Sequence, residues 1–290
     1  SKRQNRINSI TFNGALLENQ TASHGGKKLI ILGFATIAII FIMYTRYQDP
    51  ELITPDSIDT IQRIAYGFYI ILLTAFGAIA YGMYKYHKEK VEKKGNDITT
   101  IIALSTWNTR ARKIFVLTFI VYGIFFSLVS GTLVYQPEVN FATHYGAVIP
   151  SGFVSPCCGE PGYMPKIIIY LTEHVGLQII PINLVLQVIV SYLVGLNMSI
   201  AVNAYTISKK GSGISTIGAA TGLFIACPTC AGTFLSIFVG TASGIALSIA
   251  LTQLQTLFIA ASIPVLLITP FVMAKKLRNV DGSCKIDSTR

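Results

Sequence analysis

Two cysteine pairs are the residues whose types and spacing point to chemistry. Cys227-Pro228-Thr229-Cys230 stands near the middle of an apolar stretch over 214–240. A CxxC on a helix sets its two sulfurs about one turn apart, close enough to bond each other or to share a metal. Pro228 removes a backbone donor and discourages a straight helix. A helix restarting there would favour the thiolate of Cys227. Gly218, Gly222 and Gly232 surround the motif, and Gly218-x3-Gly222 has the spacing that lets membrane helices approach closely. Against this stands plain packing, because cysteine behaves as a small hydrophobe and is often buried.

The second pair, Cys157-Cys158, lies in the run Pro156 to Pro165, within a long loop over 136–174. Adjacent cysteines seldom bond each other because the ring they close is strained, so each seeks a distant partner or a metal. Met164, His144 and His174 share the loop or its edges. Cysteine, methionine and histidine together make the soft ligand set that suits Cu(I). Each has an ordinary alternative. Met164 fills a hydrophobic turn, His174 anchors a helix at the membrane interface, and His144 is solvated. Exposed thiols outside a cell tend to be oxidised or occupied, which favours a function or a disulfide for Cys157 and Cys158. Cys284, in the polar tail, reads as a free thiol.

One cysteine pair in an outer loop and one inside the membrane resemble the layout of membrane thiol oxidoreductases. The disulfide-bond-forming proteins and the vitamin K epoxide reductases use such pairs to pass electrons to a quinone. The resemblance is one of layout. Those cores use four helices, whereas this chain has six candidate spans and a deeper CxxC, so no quinone-site residue is carried over. Ala226 to Gly232 is also similar to segments of uncharacterised archaeal membrane proteins, which brings no activity with it.

Several elements must position these residues. The chain has 290 residues, of which 52% are hydrophobic and 12% charged; soluble domains carry about twice that share of charge. A bilayer core needs roughly 20 apolar residues in helical form. Six stretches qualify or nearly do: 29–45, 64–84, 114–135, 175–207, 214–240 and 245–274. None contains Asp, Glu, Lys or Arg. The composition predicts an all-α polytopic protein with a single membrane domain over 29–274. Residues 1–28 and 275–290 flank it as cytoplasmic segments.

The net charge of +10 is distributed as a topology signal. Lys and Arg crowd before the first span, between the second and third (Lys85 to Lys113), at Lys209-Lys210, and after the sixth. Only Arg46, Arg63 and Lys166 fall on the other side. Positive residues mark the cytoplasmic face, so both termini are expected inside a plasma membrane. The loops over 46–63, 136–174 and 241–244 are then outside. Because the charge is accounted for in this way, a nucleic-acid partner is not expected. Residues 85–94 are expected to extend the second helix, and 98–107 to lie along the interface.

Asn183, Gln187, Asn197 and Asn203 punctuate the fourth span. They suit either a polar path or interhelical hydrogen bonds, the commoner use. A charge-based proton relay lacks its parts. Two functional classes lead. One is thiol–disulfide or copper handling by Cys157, Cys158, Cys227 and Cys230, with a quinone or copper as cofactor. The other is a non-catalytic subunit of a larger membrane complex, respiratory or copper-containing, whose partners are other membrane subunits. The redox form predicts that Cys227→Ser and Cys230→Ser each abolish a disulfide and any quinone-dependent turnover. Wild-type behaviour in both variants would remove it.

Overall fold

The computed structural model describes residues 25–48, 54, 57–92, 97–156, 161–208 and 263–275. Four helices are long and apolar enough to cross a membrane: α1 (Gly25–Thr45), α2 (Ile58–Glu92), α4 (Thr109–Val129) and α6 (Pro181–Ser208). These helices suit a membrane location. Three shorter ones are α3 (Ile98–Trp107), α5 (Phe141–Tyr145) and α7 (Ile263–Lys275). The spans expected at 214–240 and over the first part of 245–274 lie outside the described residues.

The protein is mostly helical but not all-α. Strands β1 (Leu133–Tyr135), β2 (Ser151–Ser155), β3 (Lys166–Tyr170) and β4 (Val175–Ile179) form a sheet in the order β1-β4-β3-β2. Two segments expected as helix, 133–135 and 175–179, are therefore strands. Both are apolar runs of the kind that composition alone leaves ambiguous between helix and strand. Punctuation decides between them. Gly131, at φ 70°, takes the left-handed conformation that ends α4. Pro181 opens α6, where its missing N–H removes nothing. β1 and β4 pair antiparallel, with Leu133 opposite Leu177 and Tyr135 opposite Val175.

The chain divides into two compact units, residues 1–94 with 152–168 and residues 95–151 with 169–290. In the first, α1 and α2 form an antiparallel hairpin. Ile61, Ala65, Phe68, Leu72, Ala75, Ile79 and Gly82 recur every three or four residues and make the buried stripe of α2. The helices approach closely at Gly26 and Gly82, and again where Gly33 faces Ala75 and Ile79. A Cβ on Gly26 would stand 2.9 Å from the Gly82 carbonyl, and one on Gly82 3.0 Å from that of Gly26. Phe68 meets Phe41 and Tyr44 edge-on towards the other end. As expected, α2 continues past its apolar part into charged residues, as far as Glu92.

In the second unit, α4 and α6 run antiparallel. Ser199 Oγ donates to the Ala111 carbonyl at one end, and Asn183 Nδ2 to that of Ser130 at the other. Gly195 admits the Phe115 ring against the α6 backbone. The first turns of α7 pack on Val190 and Leu193, and its last residues on Leu196 and Ile200, so α7 runs in the same direction as α6. Helix α3, expected along the interface, packs against α6 and α7 in this unit. Ile101, Ile102 and Ala103 are buried, the first two clustering with Leu196, Ile200 and Ala274. Asn108 accepts a hydrogen bond from the Arg110 amide and marks the break between α3 and α4.

The glycine contacts generate a prediction. Gly26→Val drives a side chain into backbone of α2 and is expected to lower stability by about 1–3 kcal/mol. Gly77→Ala, at a position with open space, should leave the melting temperature of the detergent-solubilised protein unchanged or raise it. Equal melting temperatures for the two variants would show that the Gly26–Gly82 contact does not hold the hairpin.

Candidate functional site

Tyrosines on the two helices of the first unit grip the loop that carries Cys157 and Cys158. The Tyr44 hydroxyl, at the C-terminal end of α1, donates to the Pro156 carbonyl at 2.6 Å. The Tyr69 hydroxyl, on α2, donates to the Pro165 carbonyl at 2.7 Å. Both rings are buried and join the aromatic cluster around Phe68. A buried tyrosine needs a partner for its hydroxyl, and here each finds a proline carbonyl that the loop leaves open. The two anchor points bracket residues 157–160, which lie outside the described residues. The run from Pro156 to Pro165 thus stands at the α1–α2 connection, held at both ends. Gly162, at φ 87°, supplies the left-handed residue of the turn inside it.

Met164 lies between these anchors and is 5% exposed, its thioether packed in the interior of the first unit.

The two histidines belong to the second unit. His144 is exposed on α5, with its ring edge-on to Tyr145 at 4.7 Å. His174 precedes β4, and its Nδ1 lies 3.2 Å from the Gln136 carbonyl and 3.0 Å from that of Val139. Two carbonyl oxygens can only accept, so Nδ1 carries the proton. In the neutral ring this leaves the Nε2 lone pair available. Fixing one ring nitrogen on backbone carbonyls is how metal-binding histidines are commonly oriented. It serves equally to pin a loop. The surrounding bonds show such pinning. Asn140 caps α5 by accepting from the Ala142 and Thr143 amides, and it donates to the Glu173 carboxylate at 2.8 Å. Among the described residues, no group of three or more His, Cys, Asp or Glu is placed to hold a metal. Cys157, Cys158, Cys227, Cys230 and Cys284 lie outside the described residues.

Three amides of α6 donate to neighbouring helices. Gln187 donates to the Gly123 carbonyl and to Ser127 Oγ, Asn183 to Ser130, and Asn197 to the Leu266 carbonyl. These three amides bond one helix to the next, while Asn197 Oδ1 has no hydrogen-bond partner among the described residues and the side chain of Asn203 lies outside what is described. Tyr69 and Asn140 escaped sequence reasoning. Tyr69 sits in an uninterrupted apolar run, where its hydroxyl was the only signal that a partner had to exist.

No protein-family model, no curated protein and no solved structure matches the chain.

The tyrosine anchors can be tested directly. Tyr44→Phe and Tyr69→Phe remove one hydroxyl each and should cost about 1 kcal/mol apiece. The double variant should be cleaved by protease between Pro156 and Pro165 faster than the wild type, with the helical content unchanged. An unaltered cleavage rate would show that these bonds do not restrain the loop.

Proposed function

We propose that this protein is a multi-pass membrane protein of the plasma membrane whose outer loop presents Cys157 and Cys158 for thiol–disulfide or copper chemistry, with Cys227 and Cys230 as the second pair. One observation carries the proposal. Tyr44 and Tyr69 spend two buried hydroxyls on holding the ends of the cysteine-bearing loop against the α1–α2 hairpin. A loop that merely connected two helices would need no such restraint.

Six spans and cytoplasmic termini complete the proposal. The Lys and Arg distribution supports the orientation. The Tyr44–Pro156 bond supports a common side for the loops after the first and third spans. The shared direction of α6 and α7 supports a return crossing between them, for which 214–240 is the apolar stretch.

In the redox form, a substrate dithiol is oxidised to a disulfide while a protein disulfide becomes two thiols. The protein disulfide is restored when two electrons and two protons leave for a membrane quinone, which supplies the oxidant as its quinol forms. In the copper form, thiolates of the two pairs hold Cu(I), and His174, with Nδ1 committed to carbonyls, offers Nε2 as a further ligand. The non-catalytic subunit reading also has a specific observation behind it. In the second unit Tyr135, Tyr145 and Val148 expose apolar surface on the sheet-bearing segment, and partner proteins commonly cover surface of this kind.

Differential alkylation in native membranes, quenched in acid and read by mass spectrometry, tests the proposal. A disulfide linking any of Cys157, Cys158, Cys227 and Cys230 supports the redox form. Thiols that react only after chelation support the copper form. Four reduced, freely alkylated cysteines overturn both and leave the subunit reading.

A further inference from the structure

The C-terminal part of α2 carries chemistry that the cysteine site does not use. Tyr81, Tyr84, Lys85, Lys88, Glu89 and Glu92 line a shallow cleft of about 260 Å³. Their spacing of three and four sets all six on one face of the helix. Along the axis their chemistry is ordered. The tyrosines adjoin the apolar part of α2, the lysines follow, and the glutamates come last. At 1.5 Å per residue, the carboxylates stand about 6 Å further from the apolar part than the ammonium groups.

The ordinary explanation is a solvated face whose charges pair along the helix. Lys85 and Glu89, like Lys88 and Glu92, are four residues apart, the spacing at which such pairs form. No ion pair joins them among the described residues. Instead Glu89 Oε1 is buried with no hydrogen-bond partner among the described residues. The Lys85 ammonium points at α1, where a methyl on Gly25 would meet it at 2.9 Å. The face therefore presents positive charge nearest the apolar zone and negative charge further out, and one carboxylate oxygen, Glu89 Oε1, has no hydrogen bond among the described residues.

We propose that this cleft binds the headgroup of a zwitterionic phospholipid bearing a primary amine, of the phosphatidylethanolamine type. Lys85 and Lys88 hold the phosphate, Glu89 and Glu92 hold the ammonium, and Tyr81 and Tyr84 lie at the level of the glycerol. The order of charges matches that of the headgroup, in which the phosphate adjoins the glycerol and the amine is distal. A free phosphate ion would not call for the carboxylates, nor for aromatic rings at the edge of the apolar zone.

Native mass spectrometry of the full chain released from nanodiscs of equal phosphatidylethanolamine, phosphatidylcholine and phosphatidylglycerol tests this. The expected result is preferential retention of phosphatidylethanolamine, because a quaternary amine cannot donate hydrogen bonds to the carboxylates. Lys85→Gln and Lys88→Gln should each lower its retention about fivefold. The pair Glu89→Gln and Glu92→Gln should erase the preference over phosphatidylglycerol. The pair Lys85→Arg and Lys88→Arg should keep retention, which separates loss of headgroup contact from loss of fold. Equal retention of all three lipids, retention of phosphatidylglycerol above the others, or lysine variants that bind as the wild type does would each overturn the proposal.

Discussion

Hydrocarbon offers no hydrogen bonds, and the architecture follows from that. Inside a bilayer every backbone amide and carbonyl must find its partner within the protein, which admits helices and excludes open strands. Polar side chains are tolerated there only where a neighbouring helix supplies a partner. Gln187 meets this demand through Gly123 and Ser127, Asn183 through Ser130, Asn197 through Leu266, and Ser199 through Ala111. These bonds join α4, α6 and α7 along their length. Such amides in membrane proteins contribute roughly 0.6 kcal/mol each, so their effect is to set register and not to supply most of the stability.

Close approach of backbone is the second device. Between α1 and α2 it rests on Gly26 and Gly82; between α4 and α6 it rests on Gly195, which receives a phenylalanine ring. Small residues serve here because lipid tails solvate leucine as well as another helix does, and contact has to come from fit. Where the chain leaves the apolar zone, the bonding changes character. The sheet over 133–179, the Asn140 cap and the His174 contacts are the solutions of an ordinary aqueous fold. The strands occur there because water and neighbouring strands can both satisfy an irregular backbone.

The tyrosine anchors tie these two regimes together in the first unit. Tyr44 and Tyr69 are rooted in an aromatic cluster between helices, yet their hydroxyls reach proline carbonyls of the loop. The loop carrying Cys157 and Cys158 is thus positioned by membrane helices and not by the sheet alone.

Much of this was legible beforehand, for identifiable reasons. Long runs free of charge dictate helices because the penalty for a charge in lipid is paid at every position. The residues 29–45 and 64–84 accordingly fall inside α1 and α2, and the charged continuation to Glu92 follows the same helical preference. The sequence also singled out Met164, His144 and His174, but not what their side chains meet. Apolar character alone could not separate helix from strand at 133–135 and 175–179. Gly131 and Pro181 held the local signal, but only the pairing of β1 with β4 decided it. The burial of Ile101, Ile102 and Ala103 in α3 was likewise invisible, since a short helix of mixed apolar and hydroxyl residues suits an interface and an interior equally. Tyr69 shows the limit most plainly. Composition determined that it would sit in a membrane helix, and only tertiary structure decided which carbonyl, 96 residues away, would receive its proton.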